Sequence, residues 1–429
     1  MKVLILGSSL RGLDEVARIC VAANEDVVMY DSEDPTPPAD LRGRVDVLPR
    51  TWRPEYLDGV DRVVASPWFS EIKPPISDAL DRGIEVITEA GFGLEHIRTP
   101  FVGITGTNGK TTVTEVVTEM LVASGVEAAG GGNLGSPVSG MASGDADILV
   151  LELSSYQLRF LGDSFPAAAA LLNIAPDHLD WHGTFDAYTQ AKARIFAGMA
   201  PDAVLAYNAD DPVVASVVEN APCQAVACSG TTMPPGGNGV VDGAIVVNGH
   251  TFPAPVRDAS FLFDLVAGAT VALAVGASVP GVARAISDFA PGAHRRQQVE
   301  TSDGITWIDD SKATNPHATV AAVAAHAPVI LLAGGRNKGL DLAPIGTVSG
   351  ITHLIAFGES GPEIAAESVA PSTVVQSLSA AVARACDVAG PGDTVLLSPG
   401  CASFDEFTSY AERGDVFQQL VTRRRGTAA

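Results

Sequence analysis

Residues 101–112 read Phe-Val-Gly-Ile-Thr-Gly-Thr-Asn-Gly-Lys-Thr-Thr, and this stretch constrains the fold more than any other. Phe101 to Ile104 is a short apolar run suited to a buried strand, and Val113, Val116, Val117, Met120 and Leu121 recur at helical spacing over Thr111 to Ser124. Strand, glycine-rich turn and helix in that order form the setting of a phosphate-binding loop. The backbone N–H groups of such a turn close around phosphate oxygens, and the helix N-terminus adds partial positive charge. Lys110 would neutralise the outer phosphates and the Thr111 hydroxyl would ligate Mg²⁺. Gly106, Thr107, Asn108, Gly109, Lys110, Thr111 and Thr112 are therefore the candidate nucleotide contacts. A chance glycine-rich turn is the competing explanation, and the correct flanks on both sides speak against it.

With 429 residues the chain is too long for one ordinary core and predicts several domains. Hydrophobic residues make up 46% and charged residues only 18%, a balance that allows large buried cores. No apolar run is long enough to span a bilayer, so a cytoplasmic protein without membrane insertion is expected. Cys20, Cys223, Cys228, Cys386 and Cys401 lack zinc-ligand spacing and read as reduced thiols. The net charge of −23 argues against a nucleic-acid partner.

Residues 1–99 alternate apolar runs with amphipathic stretches: Val3 to Leu6, Asp26 to Tyr30, Arg62 to Ala65 and Glu85 to Ile87 read as strands of a parallel α/β domain. Gly7 to Gly12 after the first strand and Asp31 after the second suit either a nucleotide-binding turn or a plain strand-to-helix turn. Residues 100–290 hold the phosphate loop, a second glycine-rich turn at Gly130 to Gly135, and an apolar strand from Asp147 ending in Glu152. Glu152 is a metal-ligand candidate, because a carboxylate at such a strand end reaches a nucleotide-bound Mg²⁺. Ala167 to Leu172 leads into Asn173 and on to Asp177 and His178; on their own, Asp177 and His178 could as easily be helix caps. Residues 229–239 read as a surface loop, and Val246 to His250 as a hairpin. From 291 to 429 the strand and helix alternation resumes, with polar loops at Asp309 to Pro316, Gly334 to Gly339 and Ser398 to Phe407. Lys312, Thr314, Lys338 and Ser403 in those loops suit an anionic small molecule such as a carboxylate.

Taken in order, GTNGKTT at 106–112, GGNLG at 131–135, ELSSYQL at 152–158, PDHLD at 176–180, the YxxxK ending in Lys192, DSKATNP at 310–316 and SPGCASFDEF at 398–407 resemble the Mur ligases of peptidoglycan synthesis. ELSSYQL, DSKATN and CASFDEF are similar to the D-glutamate-adding branch of that family. The resemblance implies three α/β domains: a Rossmann-like domain at 1–99 that binds the UDP substrate, a P-loop ATPase domain with a parallel sheet at 100–290, and a Rossmann-like domain at 291–429 that binds the amino acid.

It also implies an activity. An ATP-dependent acid–amino-acid ligase of this kind adds D-glutamate to UDP-MurNAc-L-Ala through an acyl phosphate, as a cytoplasmic monomer. The resemblance assigns Thr111 and Glu152 to one Mg²⁺, and His178 with a carbamylated Lys192 to a second; Lys110, His178 and Lys192 are the implied catalytic residues. Asp264, Arg295 and Asp310, with His294 nearby, are assigned to ATP; Ser9, Leu10, Arg11, Asp31, Ser66 and Asn133 to the UDP substrate; and Lys312, Thr314, Lys338, Ser403 and Tyr410 to D-glutamate. The chain departs from the family pattern where Phe263-Asp264-Leu265-Val266-Ala267 replaces an Asn-x-x-Asn segment, where Trp68 follows Ser66-Pro67 in place of glycine, and where Tyr410 replaces Phe. Two other classes of function compete: a small-molecule kinase or ATPase without ligation, and an inactive nucleotide-binding descendant. Intact Lys110, Glu152, His178 and Lys192 oppose the second.

Overall fold

Apolar runs too continuous for half-exposed strands become the centres of parallel sheets covered on both faces. The computed structural model describes residues 1–7, 12–33, 36–133, 135–141 and 144–423; the expected UDP-site residues Ser9, Leu10 and Arg11 lie outside them. Among the described residues the strands form four sheets. The first runs, edge to edge, Asp46–Val47, Asp26–Tyr30, Lys2–Leu6, Arg62–Ala65 and Glu85–Thr88, all parallel. The second runs Gln224–Cys228, Val204–Asn208, Ala168–Leu171, Phe101–Thr105, Ile148–Glu152 and Ala128–Gly132, also all parallel. Gly239–Val241, Ala244–Val247 and His250–Pro253 make a small antiparallel sheet that contains the expected hairpin. In the fourth, Thr306–Asp309, Thr394–Gly400, Val329–Gly334, Ile351–Phe357 and Ser372–Val374 are parallel, with Gln297–Val299 antiparallel at one edge.

Alternation along each strand divides the side chains between two cores. In the second sheet Val102, Ile104, Val150 and Ala170 face the helices Lys110–Val122, Ala259–Ala274 and Val279–Ser287. Phe101, Leu149, Leu151 and Leu171 face the other way, toward Leu158, Tyr188 and Val214. The fourth sheet is divided likewise, Leu332, Ile355 and Leu397 on one side and Leu331, Leu354 and Leu396 on the other.

By compactness the chain divides into two units: Met1–Ile174 with Trp181–Arg257 and Phe261–Phe289, and Ala175–Asp180 with Asp258–Ser260 and the chain from Ala290 onward. The first sheet belongs to the first unit together with the second. Glu71 takes hydrogen bonds from Arg159 and His182, and Thr88 bonds to the Phe160 carbonyl, so residues of the two sheets' loops share partners. No described helix is long and apolar enough to cross a membrane.

Two expectations are corrected. Gly130, Gly131 and Gly132 are not a flexible turn but the end of the edge strand Ala128–Gly132. The reason is close approach: a Cβ on Gly132 would lie 2.3 Å from the Glu152 carbonyl oxygen, and its φ of +102° suits glycine. Residues 229–239 are not simply a surface loop either, because Ser229 and Asn238 are buried and Asn238 donates to Thr270 Oγ1 at 2.9 Å.

Candidate functional site

Three parallel strands side by side, Ala168–Leu171, Phe101–Thr105 and Ile148–Glu152, deliver their following residues to one end of the second sheet. Sites of open α/β sheets form at such carboxyl ends. The loop after Thr105 enters the helix Lys110–Val122 through Gly109, which is left-handed at φ 86°. Lys110 Nζ donates to the carbonyls of Gly106 and Thr107, both at 2.9 Å. Lys192, fully buried on the helix Phe185–Ala193, donates to the same Gly106 carbonyl at 2.7 Å. Thr107 Oγ1 lies 2.9 Å from the Tyr188 hydroxyl, and the Tyr188 ring centroid is 4.7 Å from Lys192 Nζ. The YxxxK spacing thus puts one helical turn against the loop, tyrosine on its hydroxyl and lysine on its backbone.

Asn173 was not singled out as a site residue from sequence, yet its amide grips the loop. Its Oδ1 accepts from Asn108 N at 2.8 Å and its Nδ2 donates to Asn108 O at 3.1 Å, and Thr107 N bonds the Asn173 carbonyl at 2.8 Å. An amide side chain matching both the donor and the acceptor of one residue holds that stretch of backbone in a fixed orientation. The available sequence signal was an asparagine directly after an apolar strand.

Glu152 is buried at the end of its strand; Oε1 accepts from Asn133 Nδ2 at 3.0 Å, while Oε2 has no hydrogen-bond partner. An orphaned carboxylate oxygen in a buried position fits a cation. No group of three or more His, Cys, Asp or Glu suited to a metal occurs among the described residues. Mg²⁺ can be held by one or two protein ligands, its shell completed by phosphate oxygens and water. Asp264, on the helix Ala259–Ala274, stands against the loop: a Cβ on Gly109 would come within 2.8 Å of its Oδ1. In the first sheet Asp31 accepts from Glu33 N, and Ser66 follows Ala65 with its N–H on the Leu6 carbonyl. Leu6 and Ala65 end the two strands between which the chain order reverses, the crevice where such sheets bind ligands.

In the second unit Asp177 is buried and pairs with Lys338 at 3.0 Å; Asn315 Nδ2 reaches its other oxygen at 3.4 Å. Burial opposes ionisation of Asp177, but the Lys338 ammonium overrides that and holds the carboxyl below the usual range. His178, next in the chain, has a left-handed backbone with φ 54°. Lys312 Nζ lies 5.3 Å from the Tyr410 ring centroid, and Ser403 is buried nearby in sequence. Thr314 is half-buried. Asp310 accepts from Ser398 Oγ at 2.8 Å and from Arg296 N at 3.3 Å; burial pushes its carboxyl up to about 7. Arg296 pairs with Asp258 and donates to Ser260 Oγ. His294 Nδ1 is 2.7 Å from Asp309 Oδ2.

Family models of the Mur ligase middle domain and of the "Mur ligase, glutamate ligase domain" match residues 104–233 and 294–401. A protein of Rubrobacter xylanophilus named UDP-N-acetylmuramoylalanine–D-glutamate ligase is 38% identical, covering 87% of each chain. One of that name from Pelotomaculum thermopropionicum is 36% identical over 98% of this chain and 97% of its own. Among solved structures, a pseudomurein peptide ligase type C from Methanothermus fervidus aligns with a TM-score of 0.64 at 17% identity, covering 99% of both chains. UDP-N-acetylmuramate-alanine ligase MurC from Thermotoga maritima aligns with a TM-score of 0.58 at 16% identity, over 99% of this chain and 100% of that one. These structures share the multi-domain α/β fold. Since relatives above one-third identity match along most of their length, and both family domains fall on the segments that carry the loops above, this chain belongs to the Mur ligase family.

Proposed function

We infer that this protein is an ATP-dependent amide ligase that joins D-glutamate to UDP-MurNAc-L-Ala in cytoplasmic peptidoglycan precursor synthesis. The observation that carries the reaction type is a clamped phosphate loop beside the unpartnered Glu152 Oε2 at the end of the adjoining strand. The choice of substrates rests on the likeness to enzymes named for them.

The terminal phosphoryl group of ATP passes to the carboxylate of the UDP-linked L-alanine. The amine of D-glutamate then attacks the acyl phosphate, and the tetrahedral intermediate collapses to amide and phosphate. Lys110 and the loop N–H groups counter the charge on the phosphoryl group in flight. Thr111 and Glu152 would hold one Mg²⁺, and His178 with Lys192 as a carbamate a second; bound there, the ions neutralise phosphate charge and orient its oxygens. The buried position of Lys192 beside the Gly106 carbonyl supports this role, since a carbamate replaces a cation that would repel Mg²⁺. Residues 1–99, with Ser9, Leu10, Arg11, Asp31 and Ser66, serve the UDP substrate, with Asn133 from the second sheet's edge. Residues 100–290 serve ATP, with Asp264, Arg295 and Asp310 toward the nucleotide. Residues 291–429 serve D-glutamate through Lys312, Thr314, Lys338, Ser403 and Tyr410, and the protein acts as a monomer.

Phosphate release measured with each amino acid in turn tests the reading: turnover should require both UDP-MurNAc-L-Ala and D-glutamate. Release of ADP without the amino acid at the full rate would make the protein a kinase or ATPase instead. For the carbamate, isotopically labelled bicarbonate should give a carbamate carbon resonance that Lys192→Arg lacks, and activity should fall in CO₂-depleted buffer and return with bicarbonate. An unchanged spectrum and rate would remove it.

A further inference from the structure

Arg413 lies in the first turn of the helix Tyr410–Arg423 and is fully buried. A guanidinium taken out of water would ordinarily sit against a carboxylate. Among the described residues its hydrogen bonds end on neutral oxygens: Nε on Ser311 Oγ at 3.0 Å, Nη2 on the Ser311 carbonyl at 2.8 Å, and Nη1 on the Cys401 carbonyl at 3.1 Å. A mere spacer in such a position would be apolar, because a buried charge is costly and an apolar side chain of similar volume is not. Burial pushes the guanidinium down to about 10, which leaves it charged at neutral pH.

What the side chain joins is more telling than its charge. Ser311 precedes Lys312, and Cys401 stands two residues before Ser403. Ser311 Oγ passes the network on by donating to the Tyr410 carbonyl at 2.7 Å. Ala402, next to Cys401, exchanges two backbone hydrogen bonds with Arg336 at 2.8 and 3.0 Å, and so ties in the loop that bears Lys338. Gly400 N bonds the Ala313 carbonyl at 3.0 Å, beside Thr314. The cation–π contact of Lys312 with Tyr410 spans the same junction.

We propose that Arg413 is the positioning residue that sets Lys312, Ser403 and Tyr410 in register with one another, and thereby shapes the pocket for the dicarboxylic amino acid. The proposal rests on the assignment of those residues to D-glutamate. It follows from the shape of the side chain: a planar fork with diverging donors can hold two chain segments at once, which the single ammonium of lysine cannot. Arg413 need not touch the substrate.

The test uses the full-length enzyme and its Arg413→Lys, Arg413→Met and Ser311→Ala variants, with KM measured for all three substrates beside thermal unfolding. Lys338→Ala and Lys312→Ala serve as markers of the pocket. Both Arg413 variants should raise the D-glutamate KM about tenfold or more while the ATP KM stays within about twofold. Lysine should fail to rescue although it keeps the charge, since geometry is what is lost. Should Arg413→Met not fold, Ser311→Ala decides: its D-glutamate KM should rise several-fold at unchanged ATP KM. If the marker variants raise the D-glutamate KM and the Arg413 and Ser311 variants do not, the pocket stands and this inference falls. Equal changes in every KM would make Arg413 a stability residue only, and markers without effect on D-glutamate would bring down the pocket and the inference with it.

Discussion

At single residues the phosphate loop gives the sharpest expectations. Lys110→Ala should leave the fold intact and reduce kcat by about 10²–10³, the loss that follows from removing one charge aimed at a transferring phosphoryl group. A folded variant with half its activity would show that the loop is not the cradle. Asn173→Ala removes two hydrogen bonds to Asn108, each worth about 1 kcal/mol net, so the ATP KM should rise on the order of tenfold. Unchanged ATP kinetics would mean that the loop holds its shape without the clamp. Asp310 adds a pH dependence. Its folded carboxyl titrates at about 7, above the value of an exposed aspartate, so the folded state binds the extra proton. Its contribution to stability is present in acid and is lost as pH rises toward and through 7. The unfolding midpoint of the wild type should therefore fall relative to that of Asp310→Asn between about pH 4 and 7.5; parallel curves would contradict the assignment.

Among the elements, the edge strand Ala128–Gly132 shows how backbone proximity places a side chain. Gly132 packs on the Glu152 carbonyl, and Asn133 N bonds that same oxygen at 2.8 Å while its side chain holds Glu152 Oε1. Gly132→Ala should destabilise the protein by about 3 kcal/mol or more, since both the positive φ and the contact with backbone are refused. Gly130→Ala should cost much less, because its nearest obstacle is the Thr118 hydroxyl at 3.1 Å. Thermal unfolding of the two variants checks the contrast, and equal losses would refute it.

At the scale of the molecule, the first unit holds two parallel sheets linked through a few shared side chains. Glu71 takes Arg159 Nε at 2.5 Å and stands 3.2 Å from His182 Nδ1, whose Nε2 is 3.0 Å from Ser155 Oγ. Burial would raise the Glu71 carboxyl, but the bonds from His182 and Arg159 hold it below the usual range. Glu71→Ala leaves the buried His182 without one partner and should lower stability by about 1–3 kcal/mol, the lower end reflecting the partial exposure of Arg159. Calorimetry that shows no change would exclude Glu71 as a link.

The chain by itself determined what is local or periodic. The strand, loop and helix of residues 101–122 were legible because phosphate binding needs a contiguous run of backbone N–H groups. The sheets were legible because doubly covered parallel strands need unbroken apolar runs, which is why Phe101, Ile148 and Val329 open recognisable elements. The position of Glu152 at the end of a buried strand was legible as well. Only tertiary structure decided which strand ends are neighbours, and that order brings Asn173 to the loop across 65 positions and Arg413 to Ser311 across 102. It also turned Gly130 to Gly132 from an apparent turn into a strand, because the demand for glycine came from the Glu152 backbone beside it rather than from any bend in the chain.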